Sequence, residues 1–383
     1  MKIIVAPDSF KGSISAYDIC LAVKEGIIRV HPNAKVCLLP LADGGEGTVD
    51  NLVAASNGQL IRANVRGPLN AEVNAVYGVL GDKKTVVIEM AQASGLPLLK
   101  DTEKNPMIST SYGTGELIKH ALDAGYRQFI IGLGGSATND GGVGMLRALG
   151  VEFYNSSNEV LKDGGASLID LAFYDDTHLD PRLFESTITI ASDVTNPLCG
   201  PNGASAVFGP QKGATPKMVH QLDQALFHFS EVVLSKKNIN MRDLVGGGAA
   251  GGMGAALLAF CNAKLRSGID VILEEIQFDT ILEHTDLLIT GEGKLDSQTL
   301  SGKVIKGVAI KAKEKKVPVI GLCGTIQLSR KELDELGILA AFSIVPGPCS
   351  LEEAFEHSAQ WIADRAESIM KLLTLPIVTI KKS

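Results

Sequence analysis

Aromatic side chains are scarce: 5% of the 383 residues, with a single Trp. So thin a supply excludes an aromatic base-stacking platform for nucleic acid. Positive charge is not in excess either. The formal net charge of −7 argues against general affinity for nucleic acid or an anionic membrane, and leaves room only for a local basic pocket. None of the six cysteines forms a CxxC pair. Cys20, Cys37, Cys261 and Cys323 sit in apolar runs and read as buried free thiols of a reducing, cytoplasmic compartment. The seven histidines are scattered without metal-ligand spacing. The N-terminal apolar run, Ile3–Ala6, is too short for a signal peptide. The stretch Leu244–Ala263 has no charge, but Gly246-Gly247-Gly248 breaks its start. It reads as a loop feeding a buried helix, not a membrane span.

The standard fingerprints are missing as well. No GxxxxGK[ST] occurs, since Gly302-Lys303 is followed by Val304, and neither GxSxG nor HExxH is found. Gly132–Ala137 matches GxGxxA and Gly246–Gly251 matches GxGxxG, yet no acidic residue closes a following strand about 20 positions on, as ribose recognition needs.

What is present is 41 glycines, 45% hydrophobic residues and 21% charged residues, the make-up of an α/β protein whose loops hug a small polar ligand. Residues 2–6 read as a strand, and Ser15 as the cap of a helix reaching Val30 through Ile19, Val23 and Ile27. A second strand, 36–41, leads into a helix through Leu52 and Val53. From Asp286 the β-α pattern returns, with strands at 286–290, 318–323 and 341–345 and helices near 304–313 and 351–373. The middle differs: strands at 73–79, 86–91, 129–131 and 186–191 mix with Gly-rich loops. The expected architecture is therefore α/β with two domains. One is an open parallel-sheet, Rossmann- or flavodoxin-like domain built from both chain ends, 1–66 and 285–383. The other is an inserted mixed α/β domain, 67–284.

Five polar loops follow candidate buried strands: Asp8–Ser13, Asp43–Thr48, Gly132–Asp140, Asp193–Asn196 and Gly291–Asp296. Ligands of open parallel sheets bind beyond the carboxyl ends of the strands, so the loops point to a shared site. Their residue types suit phosphoryl transfer, which needs positioning, a divalent metal with oxygen ligands, and cations for phosphate. Asp140, Asp193, Glu292 and Asp296 are candidate carboxylates, and Lys11, Lys212, Lys294 and Lys303 candidate cations.

The segments IIVAPDSFKGSISA, LPLADGGEGT, IGLGGSATNDGG, ASDVTNPLCGPNGA, GGGAAGGMGAAL and ITGEGKLDSQTLSGKV, in this order along the chain, resemble the bacterial glycerate kinases related to enzymes of glucarate/galactarate and glyoxylate catabolism. The resemblance implies ATP-dependent phosphorylation of D-glycerate, most often to 2-phosphoglycerate, with Mg2+, in a cleft between two α/β domains. Within that frame, chemistry suggests roles. Asp8, Ser9, Lys11, Gly135, Ser136, Asn139 and Asn196 would bind substrate. Asp193, or failing it Asp296, would take the proton of the attacked hydroxyl, with Lys11 assisting. Asp140 and Glu292 would hold Mg2+. Gly248, Gly251, Gly252, Lys294 and Lys303 would meet ATP. The alternatives are phosphorylation to 3-phosphoglycerate, an NAD-dependent hydroxy-acid dehydrogenase resting on GxGxxA, and a non-catalytic organic-acid sensor. No nucleic-acid or membrane partner is expected, and the oligomeric state, a homo-oligomer included, is left open.

Overall fold

The computed structural model describes residues 1–374 apart from Asp43, Glu46, Gln298, Gly302 and Lys303. Among the described residues the chain forms thirteen strands: β1 (Lys2–Val5), β2 (Lys35–Leu38), β3 (Gln59–Arg66), β4 (Glu72–Val79), β5 (Thr85–Glu89), β6 (Gln128–Gly132), β7 (Glu152–Asn155), β8 (Leu171–Asp175), β9 (Thr187–Ala191), β10 (Lys264–Arg266), β11 (Leu287–Leu295), β12 (Val319–Ile326) and β13 (Ala340–Ser343). The chain divides into two compact units, Met1–Ala42 with Ile272–Ser383, and Asp43–Val271.

The first unit holds one parallel sheet ordered β13-β12-β11-β1-β2. Renumbered within the unit, this is the doubly wound order 2-1-3-4-5, whose switch point lies between β1 and β11. In the three central strands, β1, β11 and β12, apolar residues of both faces are buried, so these strands read as nearly unbroken hydrophobic runs, while the edge strands β2 and β13 are only half-buried. Ile3, Val5, Ile289, Ile320 and Leu322 pack on one side against the helices Ala16–Val30 and Ser358–Thr374. Ser15 caps the first of these as expected, its hydroxyl accepting from the Asp18 N–H. Ile19, Val23 and Ile27 form its buried stripe. The expected C-terminal helix is in fact two, Leu351–Glu356 and Ser358–Thr374.

The second unit has a six-stranded sheet, β10-β9-β6-β5-β4-β3. β5, β6, β9 and β10 run parallel, while β3 and β4 form an antiparallel edge. β7 and β8 make a separate antiparallel ribbon. The last register row of the parallel strands is Glu89, Gly132, Ala191 and Arg266.

The division falls at 42/43 and 271/272, where the sequence reading drew 66/67 and 284/285. β3 pairs with β4 along its whole length, and the helix Thr48–Ser56 packs on β4 and β5, which puts residues 43–66 with the inserted sheet. The uncharged Leu244–Ala263 stretch is a loop and a buried eight-residue helix, Met253–Phe260, and no helix among the described residues is long and apolar enough to cross a membrane. All six cysteines are free; Cys20, Cys261 and Cys323 are buried, but Cys37 is only half-buried.

Candidate active site

In the first unit, β11 and β12 outrun their neighbours. β1 pairs with β11 only as far as Val5–Ile289, whereas β11 and β12 stay paired to Leu295–Ile326. Gly291–Asp296, expected as a loop, is therefore mostly strand, and Glu292 and Lys294 stand on an extended ribbon. The chain leaving β1 runs beside that ribbon, with the Asp8 N–H donating to the Gly291 carbonyl at 2.9 Å. The Asp8 carboxylate accepts from the Ser9 N–H at 2.7 Å, and a turn at Gly12 (φ +80°) brings Ile14 back to Phe10.

These segments enclose a pocket of about 400 Å³ at the switch point. One wall is apolar: Ile344, Val345, Leu351, Ala354 and Phe355. The other is polar: Asp8, Ser9, Lys11, Glu292, Lys294 and Thr325. Asp8 and Glu292 are both buried, and Glu292 accepts a hydrogen bond from the Thr299 hydroxyl. Lys294 forms an ion pair with Asp296 at 3.0 Å. Asp296 itself does not line the pocket, and Lys303 lies outside the described residues, as do Asp43 and Glu46 of the 43–48 loop. A slot of this size, with an apolar side and a charged side, has the make-up of a small-ligand site.

In the second unit the loop after β6 is pinned from several sides. Gly135 (φ +72°) accepts from the Leu96 N–H, and the Ala137 N–H donates to the Ser94 carbonyl. Asp140 is wholly buried and works as a clasp. It accepts from the Ser111 N–H (2.8 Å), the Ser111 hydroxyl (2.7 Å), the Gly142 N–H (3.1 Å) and the Gly144 N–H (3.2 Å). Burial raises its carboxyl above the ordinary carboxylate range, against the lowering pull of those bonds. Four donors converging on one carboxylate favour an anchoring role for Asp140 over the expected metal ligation. Lys212, also buried, donates to the Ser136 hydroxyl at 2.8 Å and to the Thr138 carbonyl at 2.6 Å. Asn139 donates to the Ser205 hydroxyl at 3.0 Å. The Thr138 hydroxyl and the Asn139 amide oxygen are buried without a hydrogen-bond partner.

Asp193 follows β9, is exposed, and accepts from the Gly268 N–H at 3.2 Å. Asn196 donates to the Asn202 carbonyl and accepts from the Gly248 N–H. The expected ATP contacts Gly248, Gly251 and Gly252 are buried. A Cβ on Gly251 would lie 2.1 Å from the Thr138 carbonyl oxygen, and one on Gly248 2.3 Å from that of Pro197. Gly251 and Gly252 let their backbone lie against the 138–141 loop, and Gly248 lies likewise against Asn196-Pro197, which accounts for all three without a phosphate.

Sequence reasoning passed over Glu89. It ends β5, is 3% exposed and accepts from the Val49 N–H at 2.7 Å at the start of the helix Thr48–Ser56. Burial, aided by Asp50, pushes its carboxyl up to about 7 in spite of bonds from Val49, Gly47 and Gln92. The available signal was a carboxylate closing the apolar run Val86–Ile88.

Comparison with known proteins gives these two sites a context. A model of the glycerate kinase family matches residues 3–374. The glycerate kinase of Bacillus subtilis (strain 168) is 50% identical over 375 residues, 98% of each chain. The glycerate 2-kinase of Escherichia coli (strain K12) is 45% identical over 375 residues, again 98% of each chain. A crystal structure assigned to glycerate kinase 2 of Salmonella typhimurium LT2 superposes with a TM-score of 0.85 at 46% identity, covering 97% of this chain and 98% of the other. With the match running through every loop described above, the chain belongs to the glycerate kinase family.

Proposed function

We propose that the protein transfers the γ-phosphoryl group of ATP to D-glycerate, giving 2-phosphoglycerate. The observation that carries the nucleotide half is the first unit's pocket, whose apolar wall fits a base and whose lysines and carboxylates fit polyphosphate and its metal. Mg2+ commonly takes one or two protein carboxylates and completes its shell with phosphate oxygens and water. Asp8 and Glu292, buried and facing one pocket, match that donor set. The ion would neutralise charge on the transferring phosphoryl group. Lys11 and Lys294 would bind the phosphates, and Ser9 would donate to them.

The acid half rests on the second unit. Ser136 and its loop supply donors for the carboxylate. Asp193, exposed after β9, orients the attacked hydroxyl and accepts its proton. The dehydrogenase alternative loses its support, because the GxGxxA glycines are consumed in packing. A Cβ on Gly132 would lie 2.5 Å from the Gly44 carbonyl oxygen, and one on Gly134 2.6 Å from the Gly45 Cα, leaving no approach for a pyrophosphate.

An ADP-release assay with D-glycerate tests the reaction, and NMR of the product separates 2-phosphoglycerate from 3-phosphoglycerate. Asp193→Asn should lower kcat by about 10²–10⁴-fold, the usual worth of a positioned base, with the melting temperature unchanged. Near-normal turnover removes Asp193 from the chemistry.

A further inference from the structure

Lys212 is one of the largest fully buried side chains of the protein, with 1% of its surface exposed. Lysines are almost never buried so completely unless paired with an anion. Among the described residues, none forms an ion pair with this ammonium; its hydrogen bonds go to a hydroxyl and a carbonyl. The charge it feels is that of Asp140, whose oxygens are bonded to Ser111, Gly142 and Gly144. A desolvated cation without a contacting counter-ion is costly to keep. An anion that arrives with the ligand offsets that cost.

The hydrogen-bond polarity around Lys212 says where the anion would sit. In its ammonium form, which a bound anion favours, Lys212 only donates, so the Ser136 oxygen then accepts from it and keeps its own hydrogen for another acceptor. Among the described residues no acceptor takes the Ser136 hydrogen. Ser136 stands on the loop leaving β6 at the carboxyl end of the parallel strands, with 6% of its surface exposed. The second Lys212 bond, to the Thr138 carbonyl, fixes the same loop from behind. The Thr138 hydroxyl, next along it, is buried without a hydrogen-bond partner among the described residues and can donate as well. One ammonium backing one hydroxyl matches a single negative charge.

We propose that Lys212 is a positioning residue which makes Ser136 an obligatory, charge-assisted donor to the carboxylate of the hydroxy-acid substrate. The inference rests on the glycerate kinase reading given above and names the group that selects an acid over a neutral polyol. Burial pushes the Lys212 amine down to about 7, opposed by Asp140, so a bound carboxylate would also hold its proton in place.

Steady-state kinetics of the full-length enzyme test this with wild type, Lys212→Met, Ser136→Ala and the double variant, using D-glycerate and glycerol, which has the hydroxyls but no carboxylate. A lost hydrogen bond to a charged group raises the KM for D-glycerate about 30-fold in each single variant, leaves the KM for ATP within about twofold, and lowers the preference for D-glycerate over glycerol by about the same 30-fold. The double variant is no worse than Lys212→Met, because one residue acts through the other. If Lys212→Met changes kcat and both KM values alike, with the acid preference intact, the lysine is only packing and the proposal fails. Should Lys212→Met lose its cooperative melting transition, Ser136→Ala decides: an unchanged acid preference overturns the proposal and a lowered one supports it. Wild type that does not turn over D-glycerate with ATP overturns both the parent reading and this one. Wild-type turnover with the preference intact in the variants overturns this one alone.

Discussion

Glu89 places a carboxylate directly after the buried apolar run Val86–Ile88 of β5, and its proton has consequences for the whole fold. The carboxyl titrates at about 7 in the folded chain against an ordinary value of 4.5. Between those two values the native chain holds a proton that the unfolded chain has released. Stability from this group is therefore full below about pH 4.5, falls as pH rises towards 7, and stays lost above it. Glu89→Gln removes the titration, so its stability relative to wild type should improve by about 2 kcal/mol between pH 5 and pH 8, read from urea unfolding at each pH. A difference that does not change with pH would place the Glu89 carboxyl in its ordinary range. Residue types at strand ends were visible in the sequence, and Asp8, Ser9, Lys11, Glu292 and Lys294 do converge on one pocket. What each polar atom bonds to was not visible. Asp140 looks in sequence like any loop carboxylate, yet its partners include Ser111, 29 residues away. Lys212 is legible as one of four candidate cations, but not as a buried amine bonded to Ser136 and Thr138.

Among the elements, the short helix Leu351–Glu356 supplies much of the apolar wall of the first unit's pocket. It leaves Leu351 70% and Phe355 39% exposed, and both line the cavity. Apolar side chains left open beside buried carboxylates are suited to covering a flat ligand face. Phe355→Ala should raise the KM for ATP about tenfold, the loss of one well-placed aromatic contact, and leave the KM for D-glycerate unchanged. An equal rise in both would show that the helix does not contact the base. This helix was hidden in the sequence because neither Gly nor Pro marks the break at His357, so one long helix was the natural reading. β3 was hidden for a different reason. Its alternation is present, with Ala63 and Val65 buried between exposed Arg62, Asn64 and Arg66, but an edge strand has only one buried face and its partner β4 supplies the rest of the pattern. Where a cap and a full stripe coincide, as at Ser15 with Ile19, Val23 and Ile27, sequence and structure agree to within a residue.

At the scale of the molecule, two sheets divide the chain, and each has its own core. That both chain ends share one parallel sheet was legible from the return of β-α units after Asp286. The boundaries were less so, because pairing, not composition, assigns β3 and the helix before it. If the first unit's pocket binds nucleotide, ligand and stability are linked by mass action. A non-hydrolysable ATP analogue with Mg2+ at about 100 times its Kd should raise the unfolding free energy by about 2.7 kcal/mol. Protection by NAD+ equal to that by the analogue would contradict a nucleoside-triphosphate pocket.

The strand order carries a consequence in time as well as in space. Ile3 pairs with Leu287, so the first strand to leave the ribosome waits for a partner made 284 residues later. At roughly 5–20 residues per second, that wait is about 15–60 s. The inserted unit is synthesised entirely within the interval and can finish folding while β1 and β2 remain an unmatched pair. A nascent chain halted before β11 would hold the whole inserted sheet but only one side of the switch point. In the order of synthesis, the first unit's pocket is completed last.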